Sequence, residues 1–179
     1  MHSINGSTTP KDLKGSWRTP QALFDYLNKI YNFNLDAYAS GSNALCVNYI
    51  TAEDNAHLVD WREFTNGDPV VAFCNPEYVQ PNIKLCLEAA RREARRGGTV
   101  VVVIPNQPAN YWETLVVGQA NHITITLGRI SFIDPVSGDP IQGNPGGSAI
   151  ITYAPRAPRT RRVATGTSYV SVYSMMSDA

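Results

Sequence analysis

The sequence contains no long hydrophobic run, no cysteine framework and no excess of charge of either sign. Its longest unbroken apolar stretch, residues 100–105, is far shorter than the roughly 20 residues that a membrane helix needs. Residues 1–5 lack the basic region and the hydrophobic core of a signal peptide, so secretion is not expected. The three cysteines have neither disulfide nor metal-binding spacing: they are Cys46, Cys74 and Cys86. We therefore expect a cytoplasmic protein in which they are small buried residues.

Length and composition favour a single globular domain. The chain has 179 residues, of which 43% are hydrophobic and 17% charged, and this fits one α/β domain with its own core. Residues 1–15 are polar and are expected to be a flexible N-terminus. Residues 16–154 should form the domain, and residues 155–179, rich in Pro, Arg and Ser, are predicted to be a flexible tail.

The net charge is zero, but the basic residues are clustered. Eleven of the fifteen are Arg, whose planar guanidinium suits phosphate recognition. One cluster lies on a predicted helix and consists of Arg91, Arg92, Arg95 and Arg96. Glu88 and Glu93 can pair with it there, so a solvated helix face is the favoured interpretation. The other cluster lies in the predicted tail and consists of Arg156, Arg159, Arg161 and Arg162. The sequence favours neither of two interpretations of this cluster, that it contacts nucleic acid or that it does not.

Helix and strand patterns alternate along the chain and predict an α/β fold. Thr19 and Pro20 open a helix with an apolar stripe, and residues 99–104 form a β-branched run typical of a central strand. The predicted helices cover residues 20–30, 83–96 and 110–118, and the predicted strands cover residues 32–37, 70–74, 99–104, 123–127, 129–133 and 148–153. This order indicates a mostly parallel sheet with an antiparallel edge.

The most informative motif is the turn Asn75-Pro76-Glu77-Tyr78, which follows a short apolar strand. At the carboxyl edge of a sheet, the Asn75 amide oxygen and the Pro76 carbonyl oxygen can both accept hydrogen bonds from one exocyclic amino group. Tyr78 can stack on the ring that bears this group. Such an arrangement suits an enzyme that methylates the amino group of a flipped-out base. The usual motif is Asn/Asp/Ser-Pro-Pro-Tyr/Phe/Trp, and Glu77 departs from it.

A cofactor site is expected beside this turn, because ligands of open α/β sheets bind at the carboxyl ends of adjacent strands. Asp36 ends a predicted strand and precedes the small-residue turn Ala39-Ser40-Gly41, so its carboxylate can meet a cofactor. The alternative is that Asp36 only caps this turn. The chain contains no Gly-x-Gly-x-x-Gly motif, so dinucleotide binding has no direct support.

The ordered set of motifs resembles the small phage-type DNA N6-adenine methyltransferases (the Dam-like family) from about residue 17 to residue 153. The matching pieces are Trp17-x-Thr19-Pro20-x-x-Leu23-Phe24, Phe33-Asn34-Leu35-Asp36-Ala37-x-Ala39-Ser40-x-x-Asn43-Ala44, Tyr49-Ile50-Thr51, Leu58-x-Asp60-Trp61, Asn75-Pro76-x-Tyr78, Ile104-Pro105, Trp112, Gly128-Arg129-Ile130-x-Phe132 and Pro145-Gly146-Gly147-Ser148.

The resemblance implies a class I, Rossmann-like methyltransferase that uses S-adenosylmethionine without a metal. Asn75, Pro76 and Tyr78 would form the adenine site, and either Glu53 or Asp60 would reach the cofactor's ribose. The other implied cofactor residues are Trp17, Thr19, Pro20, Asp36, Ala39 and Ser40. The partner would be double-stranded DNA with the adenine flipped out, in the cytoplasm of a bacterial host, and the gene would belong to a phage or prophage.

Two departures from the family pattern leave alternatives open. Glu77 replaces a proline, and Asn106-Gln107-Pro108 follows the strand where the family usually has an Arg. The chain would then be a catalytically silent DNA- or cofactor-binding relative, or would methylate another amine or amide such as cytosine N4 or a protein glutamine. Arg129 is expected either to contact DNA or to cap an edge strand. The sequence indicates no oligomeric state and no target site.

Overall fold

A computed structural model describes residues 16–107, 110–141, 146–155 and 166–177. Its elements alternate between helix and strand for the first two thirds of the chain. In chain order they are α1 (Gln21–Tyr31), β1 (Leu35–Asp36), a 3₁₀ turn (Trp61–Glu63), β2 (Val71–Cys74), α2 (Asn82–Arg95), β3 (Thr99–Pro105), a π-helical turn (Trp112–Val116), β4 (His122–Leu127), β5 (Ser148–Tyr153), β6 (Gly166–Ser171) and α3 (Val172–Ser177).

The six strands form one sheet in the order β1-β2-β3-β5-β4-β6. Neighbours β1, β2 and β3 are parallel, β5 is antiparallel to both β3 and β4, and β6 is parallel to β4. Five strands therefore run in one direction and β5 runs against them. The predicted fold class is confirmed, a Rossmann-like α/β sheet that is mostly parallel. The antiparallel strand β5, however, lies inside the sheet, whereas the sequence predicts an antiparallel strand at its edge.

Strand β3 is central because its inner residues are buried on both faces of the sheet. Val101 and Val103 pack with α1 and α3 on one face. Val102 and Ile104 pack with the apolar side of α2 on the other, where Leu87 is fully buried. A continuous β-branched run suits such a strand, since every side chain meets a helix or a neighbouring strand. Helix α2 ends where Gly97 adopts a positive φ of 102°, a conformation that glycine adopts without strain.

Residues 166–177 correct the prediction of a flexible C-terminal tail. Strand β6 pairs with β4 over six residues, from Gly166 opposite His122 to Ser171 opposite Leu127. Helix α3 then packs against α1, and Met175 is fully buried there. The Ser, Thr and Tyr side chains of β6 resemble a low-complexity segment in the sequence, although Thr and Tyr favour strands. The predicted N-terminal segment 1–15 lies outside the described residues, as do residues 156–165.

Two further sequence predictions need correction. Residues 129–133 do not form a strand: Ile133 makes only isolated bridges, to Arg18 and Pro140. The helix expected at residues 110–118 is present but shorter and mostly π-helical, with α-helical residues 110–111 followed by the π-helical turn Trp112–Val116. Within the described part of the chain no helix is long and apolar enough to cross a membrane.

The arginine cluster on α2 is also more than a solvated face. The Arg92 guanidinium donates hydrogen bonds to the backbone carbonyl oxygens of His57 and Val59, the latter at 2.9 Å. It also pairs with the buried Glu93 carboxylate at 2.7 Å, and Arg96 reaches the same carboxylate at 3.1 Å. Arg92 thus ties α2 to the loop before β2, whereas Arg95 is exposed.

Candidate active site

The carboxyl ends of β1, β2 and β3 meet at one edge of the sheet because these strands are parallel and in register. Asp36 lies opposite Phe73, and Cys74 lies opposite Val102. The turn that begins at Asn75 therefore leaves the sheet next to the Asp36 strand end. This edge is where a ligand site is expected in an open α/β sheet.

The Asn75 side chain is held by two hydroxyl groups. Its amide nitrogen donates to Thr19 Oγ1 at 3.0 Å, and the Tyr78 hydroxyl donates to its amide oxygen at 2.9 Å. Thr19 reaches this position because residues 18 and 133 pair through two backbone hydrogen bonds of 2.9 Å, which fix the segment before α1. The structure thus brings Asn75 together with Thr19 and Tyr78, which are 56 and 3 residues away from it in sequence.

An aromatic group lies beside this amide. The Tyr78 ring meets Phe132 edge to face at a centroid distance of 5.7 Å, and Trp17 stacks on Phe132 at 6.3 Å. Burial raises the pKa of the Tyr78 phenol, so its hydroxyl remains a proton donor. The Trp17 indole N–H is buried and has no hydrogen-bond partner among the residues that the structure describes. An orphaned N–H in this position is available to an acceptor on a ligand.

Glu77 points away from the site. Pro76 is buried, whereas Glu77 is exposed and its carboxylate accepts a hydrogen bond from Asn82 Nδ2 at 3.2 Å. Glu77 therefore places its charge in solvent, away from the Asn75 amide and the Pro76 carbonyl oxygen, which form the predicted site for an amino group. The Glu77 carbonyl oxygen accepts the Val79 N–H at 2.8 Å, so the turn is closed by its own backbone.

Asp36 is 3% exposed and braces the turn that follows β1. Its carboxylate accepts the backbone N–H groups of Leu45 at 3.1 Å and Tyr38 at 3.4 Å. Desolvation by burial raises the pKa of Asp36 to about 6, against these two hydrogen bonds, which lower it. The turn itself is closed by the Asn43 side chain, which accepts the Ser40 N–H at 2.7 Å. Asp36 thus caps this turn at the predicted edge of the sheet.

The two acids considered for the ribose lie in different places. Tyr49 forms a parallel bridge with Asp36, and Ile50 N–H donates to the Asp36 carbonyl oxygen at 2.9 Å. The chain therefore leaves this bridge at the carboxyl edge, and the exposed Glu53 follows Tyr49 by four residues.

Asp60 belongs to another part of the molecule. Its carboxylate caps the 3₁₀ turn and pairs with Arg62 at 2.7 Å, and hydrogen bonds from Arg62 hold the pKa of Asp60 below its usual range. It also lies 3.8 Å from Arg96, which caps the C-terminal end of α2 near the start of β3. The structure does not bring Asp60 to the edge that holds Asn75.

The predicted DNA-contacting arginines divide into two groups. Arg129 is exposed and follows Gly128 at the end of β4, so it lies at the same sheet edge as Asn75. Gly128 has a positive φ of 104°, which turns the chain there. The others lie outside the described residues: Arg156, Arg159, Arg161 and Arg162.

A cavity of about 480 Å³ lies at the opposite edge of the sheet, and none of the predicted site residues is among its described lining. Its lining includes Arg91, Arg95, Arg96, Asn121 and Tyr153. These arginines end α2, where cations complement the partial negative charge of a helix C-terminus. Among the described residues no cluster of three or more His, Cys, Asp or Glu is placed to hold a metal ion.

Phe132 is a contributor that the sequence does not identify. It belongs to the motif Gly128-Arg129-Ile130-x-Phe132, and no role is predicted for it, although its ring touches both Trp17 and Tyr78. The motif was the only signal for it, because a contact between residues 54 positions apart leaves no local pattern.

Comparison with known proteins gives a family for this site. The family model described as "DNA N-6-adenine-methyltransferase (Dam)" matches residues 6–178. The DNA N-6-adenine-methyltransferase of Haemophilus phage HP1 (strain HP1c1) is 30% identical in an alignment of length 174 that covers 94% of each chain. The protein of the same name from Escherichia phage T1 is 26% identical in an alignment of length 161 that covers 81% of this chain and 65% of that protein. The chain therefore belongs to the DNA N-6-adenine-methyltransferase (Dam) family.

Proposed function

We propose that this chain transfers a methyl group from S-adenosylmethionine to the N6 amino group of an adenine flipped out of double-stranded DNA, and that it is encoded by a phage or prophage. Family membership supports the reaction, since both compared relatives bear the name of a DNA N-6-adenine-methyltransferase and belong to phages. The observation that supports the site is the Asn75 amide at the carboxyl edge, held by Thr19 and Tyr78.

The chemistry requires two acceptors for one amino group. The N6 lone pair of adenine is delocalised into the ring, which makes the nitrogen a weak nucleophile. Hydrogen bonds from its two N–H groups to the Asn75 amide oxygen and the Pro76 carbonyl oxygen localise the lone pair on the opposite side. The bound cofactor supplies an electrophilic methyl on a sulfonium. Positioning by the protein then provides most of the rate, because no strong base is needed before attack and the extra proton leaves afterwards.

The residues present fit this cofactor. The buried Trp17 indole N–H offers a donor without a protein acceptor among the described residues. The turn at Ala39 and Ser40 is compact, with the Ala39 N–H bound to the Ile50 carbonyl oxygen at 3.1 Å. Pro20 starts α1 directly after Thr19, so both lie next to Asn75. We assign Asp36 to bracing this turn and so shaping the cofactor site.

Glu53 is the better candidate for the ribose hydroxyls. It is exposed and follows the bridge between Tyr49 and Asp36 at the carboxyl edge. A carboxylate there can accept both hydroxyl hydrogens of a ribose. Asp60 is engaged by Arg62 at 2.7 Å and serves the 3₁₀ turn. Glu53→Gln should weaken cofactor binding more than Asp60→Asn in calorimetric titrations with S-adenosylmethionine, and the opposite order would reassign the acid.

The test of the reaction is nucleoside mass spectrometry on unmethylated bacterial DNA incubated with the protein and S-adenosylmethionine. N6-methyladenine is the expected product, and Asn75→Ala should reduce its rate on the order of 100-fold. Arg95→Gln, at an exposed position near the C-terminal end of α2 and therefore at the opposite edge of the sheet, is the control and should be neutral. Unchanged methylation by Asn75→Ala would remove this residue from the mechanism.

The same assay addresses the other candidate functions. N4-methylcytosine as the only product would move the reaction to cytosine, and a methylated protein amide would move it away from DNA. A protein that binds S-adenosylmethionine and DNA without turnover would be a silent relative. The outward direction of Glu77 favours the active enzyme, since its carboxylate is bound to Asn82 and not directed at the amino-group site.

A further inference from the structure

We propose that Thr19 is a positioning residue that, together with the Tyr78 hydroxyl, fixes the orientation of the Asn75 amide, rather than acting only on the cofactor. This inference rests on the proposed function and deepens it. It concerns how a side chain from the segment before α1 controls an acceptor that follows β2, 56 residues later.

The orientation of the amide decides whether the site works. The oxygen and the NH₂ group of Asn75 have nearly the same shape, so a rotation of 180° about the last side-chain bond exchanges an acceptor for two donors. In the rotated state, NH₂ would face the amino group of the base, and two donors would oppose each other. A free side chain would visit both states, so a productive site needs groups that distinguish them.

Tyr78 distinguishes the two orientations of the Asn75 amide. Its hydroxyl proton has two acceptors within reach, the Asn75 amide oxygen at 2.9 Å and the Val103 carbonyl oxygen at 3.5 Å. The shorter contact is much the stronger hydrogen bond. The Tyr78 ring is held by its edge-to-face contact with Phe132, so the hydroxyl cannot easily move elsewhere. In the rotated state the Tyr78 hydroxyl would accept from the Asn75 NH₂ group and could donate only to the Val103 carbonyl oxygen at 3.5 Å. The better hydrogen bond therefore keeps the Asn75 oxygen on the side of the turn that faces Tyr78.

Thr19 anchors the other end of the amide that Tyr78 has oriented. With the oxygen of Asn75 bound to Tyr78, the NH₂ group faces Thr19 Oγ1, which accepts from it at 3.0 Å. An amide oxygen has two lone pairs, so the Asn75 oxygen retains one for the adenine amino group. The backbone pairing of Arg18 with Ile133 fixes the position of Thr19 itself. The amide is thus held at both ends and still has an acceptor to offer.

The hydroxyl also explains how residue 75 could vary. A hydroxyl can accept or donate, so Thr19 can hold an amide by accepting and a carboxylate by donating. The usual motif allows Asn or Asp at this position. A valine at position 19 has almost the same shape and can do neither, which makes Thr19→Val the informative change and Thr19→Ser its conservative partner.

The experiment measures kcat, the KM for DNA and the Kd for S-adenosylmethionine in four single variants of the full chain and in the Thr19→Val/Asn75→Asp double variant. Thr19→Val should lower kcat about tenfold, the value of one hydrogen bond, with the cofactor Kd within about threefold of the parent protein. Thr19→Ser should restore kcat. Tyr78→Phe keeps the ring and should lower kcat by a similar factor.

The fourth variant, Asn75→Asp, tests the dual role of the hydroxyl. A hydrogen bond to a carboxylate is stronger than one to an amide, so Thr19→Val should lower kcat more in the Asn75→Asp background than in the parent protein. Equal reductions in both backgrounds would contradict a direct contact between the two side chains.

Three outcomes would overturn the inference. An unchanged kcat in Thr19→Val shows that the contact is not used. A raised cofactor Kd with normal kcat at saturation assigns Thr19 to the cofactor alone. If Thr19→Val does not fold, a normal kcat in Tyr78→Phe would show that the two hydroxyls do not position the Asn75 amide. Asn75→Ala in the same assay separates failure of the positioning role from failure of the proposed reaction. If Asn75→Ala is inactive while Thr19→Val is normal, the proposed reaction stands and only the positioning role fails.

Discussion

The Glu77 carboxylate accepts a hydrogen bond from the side-chain amide nitrogen of Asn82 at 3.2 Å. This contact lies on the solvent side of the turn, whereas the neighbouring Pro76 is buried. Glu77 occupies the position of the second proline in the usual motif, so its direction determines whether a negative charge faces the base. Held by the first residue of α2, this charge stays in water, where it is screened.

Replacement of Glu77 should therefore change activity little. We expect Glu77→Pro and Glu77→Gln to retain methylation rates within about threefold, because the Glu77 side chain does not contact the Asn75 amide. Glu77→Gln should tighten DNA binding slightly at low salt, since one negative charge is removed near phosphates. Steady-state kinetics at two salt concentrations checks both expectations. A large gain in kcat for Glu77→Pro alone would mean that the turn is poorly formed with Glu and would support a silent relative.

Arg92 should be needed for stability. Arg92→Met removes the hydrogen bonds to the carbonyl oxygens of His57 and Val59 and takes away the closer of the two arginines that pair with the buried Glu93. Glu93 keeps its contact with Arg96, so the loss is mainly that of charged hydrogen bonds, which costs about 2 kcal/mol, and urea unfolding should show a decrease of this size. Arg95→Met is the matched control on the same helix: Arg95 is exposed, and a change of under about 0.5 kcal/mol is expected. Equal decreases in the two variants would contradict the role given to Arg92.

Much of the fold could be predicted because the relevant patterns are local. The β-branched run of β3, the amphipathic α2 and the glycines that follow it each have a direct physical meaning, and the structure has all three close to the predicted bounds. The family prediction is confirmed as well, since an ordered set of motifs is specific where single ones are weak. The position of β5 inside the sheet was missed because strand order depends on long-range pairing, which no local pattern shows.

The site was predictable only in part. Asn75 at a strand end follows from the chain itself, and so does Asp36. The contact between Thr19 and Asn75 joins residues 56 positions apart and depends on a backbone pairing between residues 18 and 133, which have no periodic signal. Glu53 and Asp60 looked equivalent as acids in one polar loop. Only the chain path separates them, because the Tyr49 bridge directs Glu53 to the carboxyl edge.

Asp36 should make the protein less stable as the pH rises. Burial raises its pKa from the usual 3.8 to about 6, so the folded state holds the proton more tightly than the unfolded state. The stabilising contribution is complete below pH 3.8 and is lost as the pH rises through about 6, and at about 1.4 kcal/mol per unit it amounts to roughly 3 kcal/mol at most. Urea unfolding from about pH 4 to about pH 7 should show this decline, and Asp36→Asn should flatten it. An equal slope in the variant would assign the decline to other groups.

Met175 should contribute to the stability of the whole domain. It is fully buried between α3 and the sheet, and removal of a buried Met side chain costs about 3 kcal/mol. We expect Met175→Ala to lower the free energy of unfolding by that amount, with one cooperative transition. Met176 is only half-buried, so Met176→Ala should lower the free energy of unfolding less. A neutral Met175→Ala would mean that residues 166–177 detach from the domain in solution.

The arginines between β5 and β6 can be tested only with the C-terminal elements kept in place. Truncation after Tyr153 would also remove β6 and α3, so weaker DNA binding would not identify the arginines as its cause. The better change replaces four residues with Gln in the full chain: Arg156, Arg159, Arg161 and Arg162. If they bind phosphates, the slope of log K against log salt concentration should become shallower by about 0.9 for each phosphate that is no longer neutralised. Arg62→Gln, whose guanidinium is already paired with Asp60 at 2.7 Å, is the control and should leave the slope unchanged. An unchanged slope in the fourfold variant would show that these arginines do not bind the DNA backbone. Arg129, which lies at the same sheet edge as Asn75, would then be the next residue to replace.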